Sequence, residues 1–378
     1  MFHCLDFEGN FMRKLIISLV VVIFVFLSIF VYNSTLQEKV KIGFIGALTG
    51  KYSVLGNAMI NGVLLAFEER KYKIGDKQIE IIFQDDKGDI ELNKKIINQF
   101  IKDDVKIVIG NVTSSMSKVS MSIINEHKDM FMISAASASN EFTGKDDQFF
   151  RVHVANNAQR FDNFTDFVID KGYKKIYGIY DPGNPTYTKD YLENFEKSFM
   201  SKNQDAFLAF GKTNENLGDL VADIKEKNPD MILICANSVD AAKVVQYIRL
   251  KGLPTVIASS EWAQTKQFIE NGGKSVEGVI FNIDLDENAQ NPRYQKFLKR
   301  YQAKYKDNPS IFASKAYELS QIIIQMLEKG EQTDVKKHLL EQKVFNGLQD
   351  EIVFDEYGDV IRNFYTFVIK DGKYVRVK

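Results

Sequence analysis

The chain has 378 residues, 45% hydrophobic and 26% charged, a composition suited to folding in water and a length that fits two lobes better than one average domain. Forty-nine basic residues against fifty acidic ones leave a net charge of −1, so no broad positive field exists to recruit nucleic acid. The two cysteines, Cys4 and Cys235, stand on opposite sides of an apolar N-terminal segment, which excludes a disulfide framework and a cysteine-based zinc site.

Arg13 and Lys14 precede an apolar run from Leu15 to Tyr32. A positive flank before such a run directs the downstream chain outward, so the rest of the protein is expected to lie outside the cytoplasm. The run exceeds a signal-peptide core, lacks a small-x-small cleavage pattern and is long enough to span a bilayer, which favours an uncleaved N-terminal hydrophobic helix tethered to the membrane over a removed signal peptide. Asn33-Ser34-Thr35 comes directly after the run, so no lipid-bearing cysteine stands there. Met12 offers an alternative start, with Met1 to Phe11 as an extension.

From Val40 short β-rich runs alternate with segments of 3.6-residue periodicity, the pattern of parallel sheets covered by helices. Strands are expected at Val40 to Ile45, Ile79 to Gln84, Ile107 to Ile109, Met130 to Ile133, Lys175 to Tyr180, Ala206 to Phe210, Met231 to Cys235, Val256 to Ala258 and Gly278 to Phe281. Helices are expected between them at Asn57 to Lys71, Glu91 to Lys102, Ser115 to His127, Asn157 to Lys171, Tyr187 to Lys202, Leu217 to Lys227 and Ser238 to Lys251. One βα series stops and another starts near Val152 to Asn157, and the polar stretch Asn282 to Pro292 separates the second series from helices at Pro292 to Tyr305 and Ala313 to Glu328. Runs at Glu351 to Phe354 and Phe364 to Lys370, each beside a turn signal, suggest a hairpin-like ending and a third crossing between lobes.

In open α/β sheets ligands bind beyond the carboxyl ends of the strands. The first series places Ala47-Leu-Thr-Gly-Lys-Tyr-Ser-Val-Leu-Gly56, Asn111-Val-Thr-Ser-Ser115 and Ser134-Ala-Ala-Ser-Ala-Ser139 there. Hydroxyls and free N–H groups at helix starts receive carboxylates well. The second series adds Asp181-Pro-Gly-Asn-Pro-Thr-Tyr-Thr188, Ala236-Asn-Ser-Val-Asp240 and Ser259-Ser-Glu-Trp262. Taken singly, Ser115 and Ser238 read as helix caps. Trp262 fits the cleft and the second-lobe core equally, Cys235 reads as a buried small hydrophobe, and His153, beside a crossing, as structural.

The segment Lys41-Ile-Gly-Phe-Ile-Gly-Ala-Leu-Thr-Gly-Lys-Tyr-Ser-Val-Leu-Gly56 with Asn61-Gly62 resembles the opening of leucine/isoleucine/valine-type periplasmic substrate-binding proteins of ABC transporters. The likeness continues through Asp85-Asp86-Lys-Gly-Asp89, Val108 to Ser115, Ile133 to Ala138, Asp181 with Tyr187, Gly278, Ala313 with Ala316-Tyr317, and Phe354 to Asp359. It implies the type I fold: two Rossmann-like lobes with parallel sheets, joined by a three-strand hinge and closing on ligand. The expected division is an N-terminal segment at 1–39, one lobe at 40–154 and 284–352, and the other at 155–283 and 353–378. By the same resemblance, Ser114 places a hydroxyl on the ligand carboxylate, backbone groups of Ala136 and Ala138 hold both ends of an amino acid, Glu261 receives its ammonium, Tyr187 covers the ligand, and Tyr52 or Leu55 shapes its side-chain pocket. Ala138 departs from the family's usual threonine, with Ser137 or Ser139 as substitutes, and Asn237 stands where a second covering tyrosine is common.

No cofactor and no metal are implied. The expected ligand is an amino acid or related small carboxylate, and the expected partner an ABC permease. The same closure would equally serve a membrane-tethered sensor. No Gly-x-Gly-x-x-Gly, P-loop or Gly-x-Ser-x-Gly occurs, and the four histidines form no acid/base set, which argues against dinucleotide enzymes and serine hydrolases. The apolar N-terminus stands where a ligand-responsive repressor would carry its DNA-binding helices.

Overall fold

The structure, a computed structural model, describes residues 15–28, 39–203, 207–329 and 335–377. Residues 15–28 form a helix (α1) with exposed apolar side chains, while the rest of the apolar run and the stretch before Leu15 lie outside the described residues. No helix among the described residues is long and apolar enough to cross a membrane.

The first lobe is built on β1 (Lys39–Gly46), β2 (Lys73–Ile74), β3 (Lys77–Asp85), β4 (Ile107–Gly110), β5 (Phe131–Ser134) and β6 (Phe149–Arg151), in the order β2-β3-β1-β4-β5-β6. Every pairing is parallel except β2 with β3. β4 and β5 are buried along their whole length, as strands covered by helices on both faces must be. The strand order reverses at β1, so the loops after β1 and β4 open onto the same crevice. The helices of this series are α2 (Ser53–Glu68), α3 (Ile90–Lys102) and α4 (Ser114–Ile124). Side chains of Asp89 and Thr113 cap α3 and α4 by accepting the Leu92 and Met116 N–H groups.

The second lobe repeats the plan with α5 (Ala158–Asp170), β7 (Lys175–Tyr180), α6 (Pro185–Lys202), β8 (Phe207–Lys212), α7 (Leu217–Lys227), β9 (Met231–Cys235), α8 (Ser238–Leu250), β10 (Val256–Ser259), α9 (Lys266–Gly272) and β11 (Ile280–Ile283). The chain then returns through α10 (Pro292–Tyr305) and α11 (Ile311–Glu328), followed by α12 (Val335–Gln342) and the antiparallel pair β12 (Val344–Asn346) and β13 (Glu351–Val353). It ends in the hairpin β14 (Tyr365–Lys370) and β15 (Lys373–Arg376), which completes a second sheet of order β15-β14-β11-β10-β9-β7-β8.

Several boundaries differ from the periodicity for identifiable reasons. α2 begins four residues before Asn57 because Gly56 is an interior packing residue, where a Cβ would overlap the Ala47 carbonyl. It stops before Lys71 and Tyr72, which take positive φ. Glu351–Val353 and Tyr365–Lys370 belong to different sheets, so the terminal hairpin pairs β14 with the charged edge strand β15, across a turn at Asp371 and Gly372 with φ 52° and 66°. The caps of α4 and α8 are Thr113 and Asn237, each one residue before the helix, rather than Ser115 and Ser238.

α11 lies against α2 so closely that a Cβ on Gly62 would overlap the Ala313 carbonyl oxygen and sit 2.9 Å from the Tyr317 nitrogen. In an open helix Gly→Ala stabilises by about 0.5–1 kcal/mol, but overpacking costs roughly 1–3. Gly62→Ala is therefore expected to lower the melting temperature, and an unchanged or raised value would show that these helices do not touch there.

Candidate functional site

The strand-end loops of the two sheets face each other and meet. Asp181, fully buried after β7, accepts hydrogen bonds from Lys51 Nζ at 2.8 Å, Tyr52 OH at 3.2 Å and Asn237 Nδ2 at 3.1 Å. Lys51 also pairs with Asp240 at 2.7 Å, so one lobe-one cation bridges two lobe-two carboxylates. Asn184 Oδ1 accepts the Ser115 N–H at 3.0 Å, and Asp190 accepts the Asn140 N–H at 2.8 Å and an Asn156 amide hydrogen at 2.9 Å. Lys51, Tyr52, Ser115 and Asn140 of the first lobe thus donate to acceptors of the second, which Asn156 and Asn237 brace from within it.

Tyr52 packs on Trp262 with centroids 5.3 Å apart, and Trp262 meets the edge of Tyr187 at 5.5 Å. Trp262 is buried and belongs both to the second-lobe core and to the interface. Leu55, one turn along α2 from Tyr52, lines a groove of 840 Å³ that runs between α2 and α10 on one side and Gln264 to Glu270 on the other.

On the first lobe, Ser114 Oγ accepts the Ala138 and Ser139 N–H groups at 3.2 and 3.4 Å, which leaves its own O–H to donate. The N–H groups of Ala136 and Ser137 bond Ser134 Oγ, and Ser137 Oγ lies 2.5 Å from Ser117 Oγ. Ser114 thus bonds the backbone at Ala138 and Ser139, while the backbone at Ala136 and Ser137 is held by Ser134 instead. Asn237 caps α8 by accepting the Val239 and Asp240 N–H groups while donating to Asp181, so it supports the interlobe rim.

Glu261 sits in a short 3-10 turn after β10 and is buried. Its Oε1 accepts from Tyr187 OH at 2.9 Å and His153 Nε2 at 3.1 Å, and its Oε2 pairs with the buried Arg160 guanidinium. Burial works against the charge on Glu261, but Arg160 and His153 override it and hold the carboxyl well below its usual range. His153 donates from Nε2 and therefore presents Nδ1 as an acceptor to Lys315, which in turn pairs with Asp284 at 2.6 Å. Burial and the Lys315 charge push His153 down to about 4, so it is neutral at physiological pH. Burial also lowers Lys315 to about 8 against the pull of Asp284.

Sequence patterning does not single out Arg160, Lys315, Asp284 or Asp181 as site residues. The legible signal is a charge among apolar neighbours, as in Ile311-Phe-Ala-Ser-Lys-Ala-Tyr-Glu-Leu319, since such charges are buried only when paired. For Lys315 the partners lie 31 and 162 positions away, so no local pattern names them.

Two open α/β lobes meeting at their strand ends are the architecture of solute-binding proteins, and the sequence matches the periplasmic binding protein family over residues 39–373. The chain belongs to the periplasmic binding protein family. This is a family of solute-binding proteins, not of enzymes, and it places the two lobes outside the cytoplasm. A leucine-, isoleucine-, valine-, threonine- and alanine-binding protein of Pseudomonas aeruginosa is 22% identical over 350 residues, covering 89% of this chain and 90% of that protein. A Leu/Ile/Val-binding protein of Escherichia coli is 22% identical, with 87% and 90% covered. Among solved structures, a leucine-binding protein of Thermotoga maritima superposes with a TM-score of 0.83 at 24% identity, covering 90% of this chain and 98% of that one. A solute-binding protein of R. palustris in complex with benzoate gives 0.80 at 19%, covering 90% and 95%.

His153 carries a pH signature. Unfolded it titrates near 6.5 and folded near 4, so between those values the unfolded chain binds more protons and stability falls as pH falls. Lys315 beside its ring and the apolar Phe312 oppose the proton, while Glu261 and Asp284 favour it. From pH 7 to 4.5 this group is expected to remove roughly 2 to 3 kcal/mol. Denaturant melts of the wild type and His153→Gln should therefore converge as pH falls, and parallel curves would show that the ring is not buried neutral.

Proposed function

We propose that this protein captures a small carboxylate-bearing solute, an amino acid or a related small carboxylate, between its closing lobes and delivers it to the permease of an ABC transporter. The observation that carries this reading is Ser114 bound to the Ala138 backbone at the start of α4, beside the interlobe contacts of Ser115 with Asn184 and of Tyr52 with Trp262. The Ser114 hydroxyl supplies a donor, and the start of α4 the favourable end of a helix dipole, for the carboxylate. Tyr52, Trp262 and Tyr187 supply large faces of low conformational entropy for the body of the solute, and Asn237 holds Asp181 in place at the rim. The names of the relatives, amino-acid and benzoate binders alike, support a carboxylate ligand. The exposed apolar face of α1 fits an N-terminal membrane tether that keeps the lobes near the permease.

Because Tyr52 comes from one lobe and Trp262 from the other, the only tryptophan reports on their separation. Titration with leucine, isoleucine or benzoate is expected to change its emission for a true ligand. Ligand at ~100 times its dissociation constant should also add about 2.7 kcal/mol of stability and raise the melting temperature by several degrees. Ser114→Ala should weaken that ligand by about 1.5 to 3 kcal/mol, the worth of a hydrogen bond to a charge. Undiminished affinity would remove Ser114 from the site.

A further inference from the structure

We infer that the solute is a carboxylate without an ammonium group, its body packed against the aromatic rings and its far end uncharged; this rests on the carboxylate-capture reading above. The reason is the disposition of acceptors at the Glu261 end of the cleft. A bound ammonium needs two or three acceptors, one of them a carboxylate with charge to spare. Glu261 is the carboxylate there, and Arg160, His153 and Tyr187 all donate to it or pair with it. Arg160 is itself fully buried and bears a whole positive charge, so Glu261 is its counter-ion.

An ammonium at this place would set two cations on one desolvated carboxylate, and the desolvation of the second would be repaid by only a share of that carboxylate's attraction. The nearest backbone acceptor of the first lobe already has a donor, and uncharged carbonyls such as that of Ala136 bring no charge to balance an ammonium. The Ala138 carbonyl takes the Asn156 N–H at 2.7 Å, and Ala138 has no hydroxyl to offer. His153 cannot help, because its Nδ1 lone pair faces Lys315.

The chain Asp284, Lys315, His153, Glu261 and Arg160 is electrically complete, two carboxylates against two cations with a neutral ring between them. What remains beside it is aromatic surface: Trp262 between Tyr52 and Tyr187. That surface suits an alkyl or aryl body. The negative end of the solute is left to Ser114 and the start of α4, as in the capture reading.

The test is calorimetric titration of the full chain, in detergent, with matched pairs: leucine and 4-methylpentanoate, phenylalanine and 3-phenylpropanoate, with benzoate alongside. The acid lacking the amine is expected to bind at least tenfold tighter than its parent amino acid in the pair whose body fits. Equal or tighter binding of the amino acid overturns the inference and leaves carboxylate capture standing. Silence across the whole panel overturns the capture reading and this inference with it. Arg160→Gln releases the Glu261 carboxylate and is expected to shift the ratio at least tenfold toward the amino acid. An unshifted ratio in a folded variant also overturns the inference, and if the variant does not fold the wild-type pairs decide alone.

Discussion

The structure depends on a buried set of charges gathered on one helix where the chain crosses between lobes. α11 carries Lys315 and Glu318 three residues apart, hence on one face. Lys315 holds His153 from the first crossing and Asp284 from the second, while Glu318 holds Arg362 from the third at 2.7 Å. All three crossings are thereby pinned to the helix that is itself locked on α2 by the Gly62 contact. Buried ion pairs add little net stability, because desolvation offsets attraction, but breaking one leaves an uncompensated charge that costs about 3–5 kcal/mol. Their effect is to fix geometry: the crossings can bend as a hinge but cannot shift register against α11.

The same chain of charges reaches the cleft. Through His153 it runs from α11 to Glu261, and Glu261 orients Tyr187 and Arg160. Tyr187 in turn sets the edge against which Trp262 rests, and Trp262 presents its face to Tyr52 of the opposite lobe. Crossings, charge chain and aromatic wall are therefore linked by an unbroken series of contacts from Asp284 to Tyr52.

Much of this plan was legible in the sequence. The alternation from Val40 gave both parallel sheets, and β7, β9, α7 and α10 match their periodic runs end to end. The recurrence of small polar residues after strands marked the loops that meet at the facing strand ends, and the family resemblance picked Ser114, the Ala136 to Ala138 backbone, Tyr187 and Glu261 within them. Less legible were β6, only three residues long, and β15, whose Lys373-Tyr-Val-Arg376 reads as polar because it lies at an edge. The electrostatic state of Glu261 could not be read at all. It is set by Arg160 and His153, each about a hundred positions away, and by burial that only the assembled lobes produce.

Closure must be reversible for a protein that takes up and gives up a solute, and the interlobe contacts are of the right strength for that. Lys51 is 41% exposed while it bridges Asp181 and Asp240, so its pair with the part-exposed Asp240 is screened and contributes at most about 1 kcal/mol. The tilted contact of Tyr52 with Trp262 adds an amount of the same order, about 0.5–1.5 kcal/mol beyond area burial. Against these stands the water regained by Ser115, Asn140, Asp181 and Asp190 when the lobes part. A solute shifts a two-state closure only by its preferential contact with the closed form, so weak rim contacts leave that choice to the solute. The strong interactions have been kept at the hinge, where they survive opening, and the weak ones at the rim, where they must break.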